Sequence, residues 1–208
     1  AHQGYTRMGR FQSELVEASK IAEQPGEEAY SMMINQNIDC QHTRIFNTAR
    51  QTADAIAEAF TNAVEHGTIT MSDLFSDQYQ QISNTRPQKY SSLFDRFTDQ
   101  ILPPLQEPFL ISHPEIVFAV CIDLRGYVPT HNNKFCQPLT GDYDHDLRTN
   151  YTKRLYNDKT GLRCGSHTEK VLVQTYKRDT GEIIHDLSVP IFVKGKHWGG
   201  FRVGYLQA

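Results

Sequence analysis

Hydrophobic and polar residues alternate most regularly near the C-terminus of the chain. Val171, Val173 and Thr175 alternate with Leu172, Gln174 and Tyr176, the period-two pattern of a strand with two different faces. Asp179-Thr180-Gly181 supplies turn chemistry, because glycine accepts the positive φ of a tight hairpin. A second β-rich run covers Ile183 to Val193, and a Lys194-Gly195-Lys196 break leads to a third, His197 to Leu206. The pattern predicts a meander of three antiparallel strands. Upstream, Glu115 to Leu124 is almost continuously apolar, as expected of a central strand buried on both faces. Arg125-Gly126 turns the chain into a short second strand over Tyr127 to His131. Gly141 to Asn157 is polar, with Leu147, Tyr151, Arg154 and Leu155 at helical spacing, and reads as an insert of one or two short helices or a structured loop. Gly161 to Ser166 leads back into the meander. The order predicts an α+β fold, N-terminal helices followed by a five-stranded antiparallel sheet with one face covered.

The N-terminal region is read as helical over residues 1–85. Met8, Phe11, Leu15, Ala18 and Ala22 make a narrow stripe at spacings of three and four over residues 5–23, and Pro25-Gly26 ends it. Residues 27–42 show no clean period. From Arg44 to His66, Phe46, Ala49, Ala53, Ile56, Phe60 and Ala63 recur at helical spacing, with Gly67 as the stop. A seam this narrow suits a helix lying on its own domain, and equally two helices paired in a dimer. Thr70 or Ser72 caps a short turn ending near Phe75. Tyr90, Leu93, Phe94, Phe97 and Ile101 form a third stripe that Pro103-Pro104 terminates, followed by a Pro-rich connection over Leu102–Pro108.

Composition narrows the function. The 208 residues are 38% hydrophobic with a net charge of −3, which gives no electrostatic case for nucleic acid or an anionic membrane. No stretch approaches the ~20 apolar residues that span a bilayer. Starting at Ala1, the chain is expected to be a piece of something longer. Cys40, Cys121, Cys136 and Cys164 contain no C-x-x-C pair, so neither a zinc knuckle nor a redox motif is encoded, and a reducing, cytoplasmic setting is expected, with a periplasmic one as the alternative.

Several motifs over residues 86–206 carry a family resemblance. Gly126-Tyr127-Val128-Pro129-Thr130-His131-Asn132, Lys153-Arg154-Leu155-Tyr156-Asn157-Asp158, Gln174-Thr175-Tyr176 with Arg178-Asp179-Thr180-Gly181, Ser188-Val189-Pro190-Ile191 and His197-Trp198-Gly199-Gly200-Phe201-Arg202 resemble the Cache/PAS-like sensor module of bacterial methyl-accepting chemotaxis receptors. The resemblance implies a cue-sensing domain over residues 86–208 without catalysis, a homodimer through the N-terminal helices, and a signalling region elsewhere in the parent. In the resembled folds a ligand lies between sheet and helical insert. The matching positions are Arg148, Tyr151 and Arg154 on the insert, Tyr127 and His131 on the second strand, and Tyr176 and Asp186 on the meander. Arginine grips a carboxylate with paired, charge-assisted hydrogen bonds, aspartate pairs with an ammonium, and tyrosine gives a flat wall with a polar tip. Each could instead buttress the insert. Trp198 suits either a pocket wall or the core.

Other chemistry is less well encoded. Asp142-x-Asp144-x-Asp146 begins like a calcium loop, but Leu147 stands where glycine is required and Lys153 where a bidentate glutamate is. His131, His145, Cys136 and His197 could ligate a metal, and a haem- or redox-sensing version of the scaffold would use His131 or His197. Covalent haem needs C-x-x-C-H, which is absent. No nucleophile elbow or phosphate-binding glycine loop appears, so no enzyme is expected. A third reading is a dimerisation module that binds no ligand.

Overall fold

The structure is a computed structural model that describes residues 26–177 and 181–207. The helix expected over residues 5–23 and the hairpin turn at Asp179-Thr180 lie outside the described residues. The described chain is α+β. It begins with helix α1 (26–35), where the sequence shows no clean period. Helix α2 (Gln41–Glu65) follows, and its stripe Ile45, Phe46, Ala49, Ala53, Ile56, Phe60 and Ala63 is buried. That stripe packs on the chain's own sheet, chiefly on β7 (Ile183–Val193). At about 25 cal/mol per Å² of apolar surface removed from water, such a face is the main reason this helix holds its place.

The main sheet has four strands, in the order β3 (Ile116–Asp123), β8 (Lys196–Leu206), β7, β6 (Leu172–Lys177), all antiparallel. The meander is as expected. The fifth strand is not part of this sheet. β4 covers only Tyr127–Val128 and pairs instead with β5 (Arg154–Leu155). The reason is local. Asp123 Oδ1 accepts from the backbone N–H groups of Arg125 and Tyr127 at 2.9 Å each, which folds the turn back sharply. The insert then takes β4's carbonyls, with Tyr156 N–H donating to Gly126 at 2.7 Å and Lys153 N–H to Val128 at 2.9 Å. Pro129 has no N–H with which to extend a ladder.

β3 is therefore an edge strand, although it reads as a central one. Two buried amides stand in for the missing neighbour. Asn132 accepts from Ala119 N–H (2.8 Å) and donates to Ala119 C=O (3.0 Å), while Gln106 Oε1 accepts from Cys121 N–H (2.9 Å). Both amide side chains are fully enclosed, and the edge is satisfied without a fifth strand.

Three further expectations are corrected. After the short helix α3 (Met71–Leu74), residues Lys89–Ser91 form strand β2, paired with β1 (Gln80–Ile82), so the helix α4 starts only at Asp95 and runs to Ile101. The supposed Pro-rich connection is helix α5 (Pro103–Ser112). Pro103-Pro104 ends one helix and opens the next, since the first turn of a helix has no use for those N–H groups. Downstream lie a 3₁₀ turn (Asn133–Phe135), α6 (Tyr143–Thr149) and α7 (Lys159–Ser166). Gly161 to Ser166, expected as a lead-in, is thus helical, capped by Asp158 accepting from Thr160 and Gly161 N–H.

The sheet separates two apolar layers. Leu187, Val189, Phe201, Val203, Tyr205, Ala119 and Cys121 face α2 in the main core, which also holds Trp198. Its indole donates to Leu74 C=O at 2.9 Å, so Trp198 is a core residue. Val120, Ile122, Val128 and Cys164 form a smaller cluster on the other face, with Phe118 and Tyr156 against it. That second face carries the cavity.

Candidate functional site

Between the sheet's second face and the insert lies a cavity of about 320 Å³. β3 supplies Val117, Phe118 and Val120, and β4 supplies Val128. His131, Phe135, Tyr151 and Tyr156 come from the segments around the insert, Asp158 and Thr160 from the start of α7, Tyr176 from β6 and Arg202 from β8. The volume is at the low end of the range for small-molecule sites, and the mix of apolar walls with a few polar groups is what such sites show.

Strand parity places the polar anchor. Along β8, Phe201, Val203 and Tyr205 point to α2, so Arg202 points to the cavity face. It is 9% exposed and pairs with the fully buried Asp186. Its Nε donates to both carboxylate oxygens at 3.1 and 3.0 Å, and Nη2 donates to Oδ2 at 2.7 Å. This pairing holds the guanidinium charged and raises its already high pKa, against the desolvation that would lower it. Cys164 of α7 also approaches Asp186 Oδ1, at 3.5 Å. The guanidinium carbon stands 5.2 Å from the centre of the Phe118 ring. Gly204, directly opposite Phe118 in register, leaves the space that ring occupies; a Cβ there would overlap it. The cation is therefore pre-positioned on a rigid strand.

His131 forms the second polar feature. Its ring sits 6.1 Å from Phe118, 5.1 Å from Phe135 and 5.5 Å from Tyr151, centroid to centroid. Nδ1 accepts from Asn132 N–H at 2.8 Å, which puts the proton of the neutral ring on Nε2. Burial, and then the positive charges of Arg202, Lys134 and Arg154, pull its pKa down to about 3. The neutral Nε2–H donor is thus the form present at physiological pH.

Of the seven predicted site residues, the structure brings His131, Tyr151 and Tyr176 together on the cavity wall. Asp186 lies behind it as the partner of Arg202. Arg154 stacks outside the wall, 5.5 Å from the Tyr151 ring and 5.3 Å from Tyr156, and clamps the insert. Tyr127 points to the opposite face, where its single hydroxyl proton lies within reach of the Asp95 carboxylate at 3.0 Å and of Tyr90 C=O at 3.1 Å; Arg148 is exposed on α6 and does not line the cavity. Sequence reasoning missed Arg202, Phe118, Phe135 and Tyr156. For Arg202 the signal was present: a charged residue of cavity-face parity between two core-facing aromatics and aliphatics, flanked by Gly200 and Gly204.

The groups suspected of holding a metal are dispersed. Cys136 Sγ bonds the His131 carbonyl at 3.3 Å and not its ring. His197 stacks on Phe192 in the β7–β8 hairpin, with its Nε2 2.9 Å from Gly199 O. No group of three metal-ligating side chains occurs among the described residues. A haem iron on His131 would need a lone pair on Nε2 while Nδ1 still accepts a backbone N–H, which calls for an imidazolate; haem-ligating histidines instead donate through their second nitrogen. His131 does not fit an axial ligand. The Asp142–Asp146 loop satisfies itself: Asp142 caps α6, and Asp146 accepts from Thr140 N–H, Thr140 hydroxyl and Gly141 N–H at 2.8 to 3.0 Å.

No family model and no curated protein matches the chain. Among solved structures it is similar to an extracellular ligand binding receptor from Desulfohalobium retbaense DSM5692, at 14% identity and a TM-score of 0.35, over 76% of this chain and 24% of that one. This chain spans about a quarter of that protein. A likeness so weak carries no argument about this one.

Proposed function

We propose that this chain is a sensory input domain that binds a small ligand in the cavity between sheet and insert and relays its occupancy to a signalling region outside the chain. The observation that carries the reading is the buried Arg202–Asp186 pair, which holds a cation against an aromatic-lined cavity. Burying an ion pair is costly and seldom stabilises a fold by itself, so a cation kept at a cavity wall is best explained by what it binds. The chemistry is binding, without bond making. The resemblance in the sequence motifs points to a bacterial chemotaxis receptor as the parent, in the cytoplasm or, alternatively, as a periplasmic part of a membrane receptor. No described helix is long and apolar enough to cross a membrane.

Homodimerisation through the N-terminal helices belongs to the same proposal. The α2 stripe is spent on the chain's own sheet, so that stripe is not the dimer seam. The test is a thermal-shift screen of amino acids, organic acids and purines on the wild type and on Val117→Phe, which places a ring in the cavity. One ligand class should raise Tm in the wild type alone. A shift that persists undiminished in Val117→Phe would remove the cavity as the site. The purified protein should be colourless, and a Soret band would revive the haem reading.

A further inference from the structure

Building on the cavity as a ligand site, we propose that it selects a small organic anion: a carboxylate on an apolar or aromatic body, anchored by Arg202. Of the polar groups lining the cavity, Arg202 and His131 present donors, beside tyrosine and Thr160 hydroxyls that either donate or accept. Asp186 consumes Nε and Nη2 of the guanidinium, and the remaining nitrogen, Nη1, has no hydrogen-bond partner among the described residues, yet is not a sealed, unsatisfied atom. Its two N–H groups are therefore the part of the guanidinium left for a ligand in the cavity that Arg202 lines. His131 contributes the Nε2–H that the Asn132 contact fixes. Both groups flank the same Phe118 ring, so an anion seated against that ring meets both.

The acceptors are arranged the other way. Asp186 is fully buried and does not reach the cavity. Asp158 is exposed at the rim, with one oxygen already capping α7. A ligand ammonium would thus find no carboxylate inside. The charges felt by the His131 ring are all positive, from Arg202, Lys134 and Arg154, so the local potential favours an anion even though Arg202 is itself paired. The walls are Phe118, Phe135, Val120 and Val128 with tyrosine faces, suited to an apolar body. A volume of about 320 Å³ equals roughly ten waters at ~30 Å³ each, which limits the ligand to about one ring and its substituents.

The experiment compares benzoate, benzamide and benzylamine, one skeleton carrying an anion, a neutral group and a cation, by calorimetry and thermal shift on the full chain. Benzoate should bind, and roughly tenfold or more tighter than benzamide, the difference a charge-assisted hydrogen bond makes. Arg202→Met alone strands a buried carboxylate, so the informative variant is the pair Asp186→Leu/Arg202→Met, checked for folding by circular dichroism. There the benzoate preference should vanish. In the wild type, benzoate should also shift the NMR resonance of the Arg202 side-chain Nε–H, a readout that needs no variant. Preference for benzamide or benzylamine overturns the anion assignment and leaves the cavity as a ligand site. Binding of none of the three overturns the anion assignment and counts against the ligand-binding reading as well. An unchanged benzoate preference in the folded pair variant, or an unmoved Arg202 resonance, removes Arg202 as the anchor.

Discussion

Asn132 and Gln106 do the work of an absent strand. An edge strand presents unpaired N–H and C=O groups, and these must be satisfied if the edge is buried. The side-chain amide is the one neutral group that can both donate and accept like a peptide. Asn132 uses both ends on Ala119, and Gln106 links Cys121 N–H to Thr130 C=O at 3.1 Å. Removing one amide leaves a buried donor unpaired, which costs about 1–3 kcal/mol. Asn132→Leu and Gln106→Leu should each destabilise by about that much in a denaturant titration. A near-zero effect of both would show that β3's edge does not depend on them. Nothing in the EIVFAVCIDL run distinguishes an edge strand sealed by two amides from a central one, because periodicity reports burial of faces and is silent about edges.

At the scale of elements, α7 connects the cavity to α1. Its first turn, Asp158 and Thr160, lines the cavity. Its middle sits directly on the sheet, because Gly165 and Gly200 leave no Cβ between them and the Asp123 and Cys164 carbonyls. Its exposed side carries Arg163, which grips Glu27 of α1 with two hydrogen bonds of 3.0 and 2.9 Å. A ligand that prefers one position of the insert can bias α1 through this clamp, and only by as much as its affinity for the two positions differs. Arg163→Ala should therefore leave ligand binding within a few-fold of wild type while abolishing any ligand-dependent change in amide exchange over residues 26–35. Persistence of that change would exclude the clamp as the route. Gly165→Ala should cost about 1–3 kcal/mol by overpacking. The long elements here were legible: α2 and the three meander strands follow from unbroken 3.6- and two-residue periods. The short ones were legible only in part: a strand opens at Tyr127 as expected but ends at Val128, not His131. α4, β2, β4 and β5 are decided by side-chain caps and by bonds between distant segments, such as Tyr90 N–H to Lys153 C=O at 2.8 Å, which no local pattern encodes. The same holds for the site, where three of seven predicted residues reach the wall while Arg202 was legible only through strand parity.

Across the whole molecule, buried neutral histidines set the response to acid. Burial pulls His131 down to about 3 and both His42 and His167 down to about 4, while His185 is lowered in the same direction. His167 Nδ1 and His185 Nε2 have no hydrogen-bond partner in their buried positions, so charging either ring gains no acceptor to offset the lost hydration. A folded pKa below the unfolded value of about 6.5 means that the unfolded chain binds more protons at mildly acidic pH. Stability is then complete above about pH 6.5 and is lost progressively as pH falls towards the folded values. For His131 alone the loss at pH 5 is about 2 kcal/mol, from roughly 1.5 units at 1.36 kcal/mol each. Tm should fall clearly between pH 7 and pH 5, and His131→Gln should flatten part of that slope. An anion held beside His131 raises the ring's folded pKa by favouring its charged form. Starting from about 3, the ring stays mostly neutral at pH 5 even so, and its Nε2–H still donates; benzoate should therefore stabilise the wild type by a similar amount at pH 7 and pH 5. A benzoate stabilisation that grows sharply at pH 5, and loses that growth in His131→Gln, would show instead that the ligand protonates the ring and would overturn the neutral donor.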